Sequence, residues 1–119
     1  MKITIPISVG ELLDKISILS IKSQYTTSEY VKKELKDLID IAKKYRVYNE
    51  SYISELNFIN NKLWKIEDDL RVLEKSQDFG KSFIELARKV YITNDLRSSI
   101  KNEINKNYDS YYREIKVHK

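Results

Sequence analysis

Between residues 83 and 97 the chain stops supplying aliphatic side chains to a helical face and supplies polar ones instead. Phe83, Leu86 and Val90 stand at i, i+3 and i+7, the spacing of one face of a helix. The same face continues into Thr93, Asn94 and Arg97. Polar groups on a core-facing stripe cost free energy unless they are paired with one another or with a ligand. A guanidinium in such a place can hold a carboxylate or a phosphate through two parallel hydrogen bonds. The break in the stripe marks where a site is expected, without identifying a reaction.

Other chemistries find few residues to carry them. The chain has no cysteine, which removes disulfides, thiol nucleophiles and cysteine-ligated metals. Its sole histidine, His118, is the penultimate residue, so a nucleophile–base–acid triad lacks its usual base. Gly10 and Gly80 are isolated, and no glycine-rich loop is available to cradle nucleotide phosphates. Glu11 with Asp14, and Glu67 with Asp68, could offer carboxylates to Mg²⁺ across two helices. Glu67 and Asp68 are successive, however, and diverge by about 100° around a helix. Neither metal nor cofactor is expected, and no catalytic residue stands out. A bundle site working by preorganised charge alone, of the chorismate-mutase kind, stays chemically allowed.

Such residues need a frame, and the composition says what kind. At 119 residues the chain is expected to form one helical domain over residues 1–119. Two glycines and one proline argue for long uninterrupted helices. No apolar run approaches a secretory or membrane-spanning length, which predicts a cytoplasmic location and no membrane contact. The net charge is +4, but acidic and basic residues are interspersed. Glu34, Asp37, Asp40, Glu85 and Glu103 interrupt the lysines of the second and fourth helices and argue against nucleic acid as a partner. Abundant Lys, Ile, Asn and Tyr share AT-rich codons, which explains the basicity without a partner.

Ile3, Ile5 and Ile7 alternate with polar or proline positions, a strand pattern with Pro6 suited to an edge. Ser8-Val9-Gly10-Glu11 reads as a capping box opening a helix to about Tyr25, with Leu12, Ile16 and Leu19 inward. A second helix runs from Thr26-Thr27-Ser28-Glu29 to about Arg46, with Val31, Leu35, Leu38 and Ala42 at heptad-like spacing. Asn49-Glu50-Ser51 opens a third, whose Leu56, Ile59, Leu63, Ile66, Leu70 and Leu73 form a 3-4-3-4-3 seam for helix packing. Ser76-Gln77-Asp78 separates it from a fourth over about 79–106, long enough to span ~40 Å. The tail 111–117 is expected to pair with the Ile3–Ile7 segment. The expectation is an all-α antiparallel bundle of four helices with a minor two-stranded ribbon from the termini.

Three segments together resemble a small, uncharacterised, mostly helical family of bacterial and phage proteins: Ser8 to Lys22, Leu63-Trp64-Lys65-Ile66-Glu67-Asp68-Asp69-Leu70-Arg71, and Phe83 to Asn105. The resemblance covers nearly the whole chain except the second helix. It implies no activity, only a setting near genes for surface-glycan assembly. On the family pattern the polar positions to watch are Glu11, Asp14, Lys15, Lys22, Trp64, Glu67, Asp68, Arg71, Arg88, Tyr91, Asn94, Asp95, Arg97, Lys101 and Asn105; Tyr25 lies outside it.

Projected on helices, these positions form three stripes: Glu11, Lys15 and Lys22; Trp64, Glu67 or Asp68, and Arg71; Arg88, Tyr91, Asn94 or Asp95, and Lys101. If they converge, Arg71, Arg88 and Arg97 could grip an anionic ligand while Trp64 or Tyr91 stacks on a sugar or base. Equally, acid–base pairs such as Glu11–Lys15 and Glu67–Arg71 are common on solvated helices, and a buried Arg–Asp network can fix helix register with no ligand. The function expected is a non-catalytic binding or accessory module in surface-glycan metabolism. It would self-associate or bind a protein partner, with an anionic small molecule in its polar cleft. The alternative is a small enzyme acting on a phosphorylated or carboxylated metabolite such as a nucleotide sugar.

Overall fold

A computed structural model describes residues 1–117 and shows four α-helices: α1 (Val9–Lys22), α2 (Glu29–Lys44), α3 (Glu50–Lys75) and α4 (Lys81–Asn107). The helical bundle is as the periodicity predicts. The long pair, α3 and α4, doubles back across the turn at residues 76–80. Helix α1 packs against both of them and against α2, whereas α2 packs on α1 alone. The core therefore forms around α1. Leu12, Leu13 and Ile16 meet Ala42 of α2, Ile53 and Leu56 of α3, and Ile104 of α4.

Helix length decides what remains uncovered. At ~1.5 Å per residue, α1 with 14 residues is about half as long as α3 with 26 or α4 with 27. The α3 seam records this directly: Leu56, Ile59 and Leu63 are buried where α1 crosses, while Ile66, Leu70 and Leu73 beyond it are only half-buried. The far end of the α3–α4 hairpin is a two-helix projection without a third layer.

The helices stop without glycine. Arg46, Gln77 and Asp109 adopt positive φ of 60°, 54° and 48° just after α2, α3 and α4. Each is followed by a residue whose amide bonds back into the last turn: Val47 to Ala42, Asp78 to Leu73, and Ser110 to Asn105. These are left-handed caps of the Schellman type, a position where glycine is the unstrained residue.

The terminal ribbon is not formed: no strand exists among the described residues. Ile3 and Ile5 are 76% and 66% exposed, and Ile115 and Val117 are exposed as well. Two short segments with no third strand or covering layer gain too little to hold together, and Pro6 removes one backbone donor. Side-chain ion pairs hold the tail against α4 instead, through Lys116 to Asp95 and Glu114 to Lys101. His118 lies outside the described residues.

Candidate functional site

The beginning of α1 is closed by side chains from three places. Ser8 Oγ accepts from the Glu11 amide at 3.1 Å, one half of the expected capping box, while the Glu11 carboxylate accepts from Lys101 instead of reaching back to the Ser8 amide. Asn105 Oδ1 accepts from the Gly10 amide at 2.7 Å and Ser110 Oγ from the Val9 amide at 3.0 Å. The first three free donors of the helix are thereby satisfied from within the chain, so no outside anion is needed there. Gly10 makes this docking possible. A Cβ at that position would lie 2.6 Å from the Lys101 carbonyl oxygen and 2.9 Å from Asn105 Oδ1. Asn105 is fully buried, and its Nδ2 has no hydrogen-bond partner among the described residues.

One turn further along α1, Asp14 is completely buried and is the centre of a polar network. Arg97 from α4 approaches it side-on: its Nε lies 3.1 and 3.0 Å from the two carboxylate oxygens, and its Nη2 also donates to Oδ2. Asn60 Nδ2 from α3 donates to Asp14 Oδ1 at 2.9 Å and to Ser17 Oγ at 3.1 Å, and Ser17 Oγ donates to Asn57 Oδ1 at 2.6 Å. The network thus ties α1, α3 and α4 together where their aliphatic stripes are interrupted. Burial works against the charge of Arg97, but its hydrogen bond to Asp14 and the neighbouring carboxylates outweigh that cost and hold its pKa above the ordinary value.

Lys101, one turn after Arg97, is buried. Its Nζ lies 2.6 Å from Glu11 Oε2, 3.3 Å from Glu114 Oε2 and 3.9 Å from Asp14 Oδ2. Here too burial disfavours the charge, and the hydrogen bond to Glu11 with the charges of Glu11, Asp14 and Glu114 overcomes it, raising the pKa. Beside these two cations is a cavity of about 260 Å³, lined by Asn94, Arg97, Ser98, Lys101, Glu114 and Lys116.

Of the positions the sequence singled out, Asn94, Arg97 and Lys101 come together at this cavity, and Asp95 borders it through its 2.6 Å bond from Lys116. The others do not converge. Lys15 and Lys22 are exposed on α1. Arg71 is exposed and paired with its own helix, 3.2 Å from Asp68 and 4.0 Å from Glu67. Arg88 and Tyr91 are exposed on the projecting half of α4. Trp64 is half-buried, its indole stacked on Tyr25 with ring centroids 5.1 Å apart, so an intramolecular ring covers one of its faces. The three arginines do not form one anion-gripping cleft. Glu11 and Asp14 face cations, and Glu67 and Asp68 face Arg71, so the carboxylates do not gather into a metal-like set.

The sequence reading gave no role to Ser17, Asn57, Asn60, Ser110, Glu114 or Lys116. For Asn60 the signal was present: it stands four residues after Leu56 and three before Leu63, a polar group inside the apolar seam. Ser17, between Ile16 and Ile18 and three residues after Asp14, carried the same signal. Glu114 and Lys116 carried none, because their positions follow from where the tail lies.

The described residues contain no group of three or more acidic, histidine or cysteine side chains placed to hold a metal, and no helix long and apolar enough to cross a membrane. No curated protein and no solved structure matches the chain. The family of unknown function DUF6165 matches residues 1–119. With the match running over the whole length, the chain belongs to that family.

Proposed function

We propose that this protein is a non-catalytic helical binding module that works by pairing with a second copy of itself through the projecting end of the α3–α4 hairpin. One observation carries this reading: the coiled-coil seam of α3 continues past the point where α1 ends. Beyond it, Leu70, Phe83, Ala87 and Val90, with Arg71 and Glu74 at the margin, line an open groove of about 400 Å³. Ile84, Val72 and Phe79 are exposed nearby. Apolar seams of this register are completed by further helices.

Charge favours a second copy as the occupant. Residues 65–75 of α3 hold four acidic and three basic side chains, and residues 81–89 of α4 hold three basic and one acidic. A two-fold pairing that sets the α3 segment of each hairpin, net −1, beside the α4 segment of the other, net +2, closes a four-helix bundle. The biological setting we propose, surface-glycan metabolism, is supported by the family resemblance alone. The enzyme alternative loses the arginine convergence it required.

Sedimentation velocity tests the proposal. Wild type is expected to run as a dimer. Phe83→Glu is expected to run as a monomer with unchanged helicity, because a carboxylate at the groove opposes burial. A wild-type monomer at the highest soluble concentration, or a dimer that survives Phe83→Glu, overturns it.

A further inference from the structure

We propose that the cavity beside Arg97 and Lys101 binds a small hydroxylated monocarboxylate, and that the Glu114 carboxylate occupies the position of that ligand's carboxylate in the free protein. Two of the three carboxylates around Lys101 are fixed. Asp14 is fully buried and hydrogen-bonded from two helices, and Glu11 sits on α1 with a 2.6 Å bond from Lys101. Glu114 differs. It comes from the non-helical tail, is 29% exposed, and meets Lys101 as an ion pair at 3.3 Å. Among the groups that neutralise Lys101 it is the one that can leave without disturbing a helix.

Arg97, Asn94 and Ser98 line the cavity together with Glu114. Asp14 engages Nε and Nη2 of Arg97, which leaves Nη1 for another acceptor. Asn94 and Ser98 add an amide and a hydroxyl to the walls, suited to hydroxyl groups of a ligand. The volume of about 260 Å³ lies just below the ~300 Å³ at which drug-sized pockets begin, and so suits a small metabolite.

Charge selects carboxylate over phosphate. Around Lys101 the described residues place two cations, Arg97 and Lys101, against three carboxylates, Asp14, Glu11 and Glu114. Exchanging Glu114 for a monocarboxylate preserves that balance. A phosphate dianion would add a further negative charge to a cluster already short of cations.

Titration of the ¹⁵N-labelled full-length protein with glucuronate tests this, with inorganic phosphate as the competing probe. The amide shifts should move at 94–101 and 114–116. Glu114→Gln should bind glucuronate about fivefold more tightly, the population factor of a partly exposed ion pair. Glu103→Gln, an equal charge change on the exposed side of α4, should leave the affinity at the wild-type value, and Asn94→Ala should weaken it. No binding of millimolar glucuronate to Glu114→Gln overturns the proposal. So does equal affinity of wild type and Glu114→Gln, an equal gain in Glu103→Gln, or phosphate binding as tightly as glucuronate.

Discussion

Replacing Arg97 by alanine strips the guanidinium from the Asp14 carboxylate, which is fully buried in the wild type, and leaves it Asn60 as its remaining hydrogen-bond donor from another helix and Lys101 at 3.9 Å. Removing one partner of a buried ion pair costs ~3–5 kcal/mol, mostly because the other charge is left without compensation. Arg97 is a quarter exposed, and Asn60 and Lys101 stay in place, so the low end applies, about 3 kcal/mol. At this chain length each kcal/mol lowers Tm by ~4 °C, so Arg97→Ala is expected to melt about 12 °C lower than wild type. Urea unfolding followed by circular dichroism, with calorimetry for Tm, measures both quantities. Asp14→Asn in the Arg97→Ala background should recover about half of the loss, since a neutral amide is cheaper to bury than an unpaired carboxylate. A loss in Arg97→Ala below ~1 kcal/mol, the value of a solvent-exposed pair, refutes the reading of this network as the polar tie between α1, α3 and α4.

Three further outcomes follow from the same geometry. Gly10→Ala forces α1 away from the Lys101 carbonyl and should cost ~1–3 kcal/mol in chemical denaturation; an unchanged midpoint would show that the two helices can separate freely. Gln77→Gly removes a side chain from a left-handed cap and should stabilise by about 1 kcal/mol, read as a rise in Tm, whereas Gly at Ser76, where φ is −88°, should destabilise. Lys101 has its pKa raised in the folded state, so its stabilisation is complete below the ordinary lysine value of 10.5 and is lost as pH rises through the higher folded value. Stability should therefore fall above pH 10.5, and Lys101→Met should flatten that part of the fall in a pH series of urea midpoints.

Much of the frame was legible because helices announce themselves locally. The 3-4 spacing of Leu56 to Leu73, the Ser8–Glu11 cap and the scarcity of glycine each act within a few residues of the chain. The interruption at Thr93 and Arg97 was legible for the same reason: Thr93 is buried, and Arg97 turns inward to a partner 83 residues away. The sequence could not show which of two candidates that partner would be, a ligand or Asp14, because the choice depends on how α1 crosses the hairpin. The terminal ribbon failed at that level too. Alternating Ile3 and Ile5 satisfy the local period of a strand, but a strand needs a neighbour and a covering layer, and neither is supplied. Lys15, Lys22, Arg71 and Arg88 share stripes with inward residues and still face solvent, since a stripe's edge is buried only where another helix lies over it. Gly10 gave no local signal for its close contact with α4. Nor did Tyr25, whose ring stacks on Trp64.

The projecting hairpin as a pairing surface is tested most directly by hydrogen exchange of the wild-type protein at a low and a high concentration. Amides of residues 66–75 and 83–91 should become more protected as concentration rises, while those of α1, buried in the core at any concentration, should not change. Protection that is independent of concentration along the hairpin, or that increases elsewhere instead, would contradict the account.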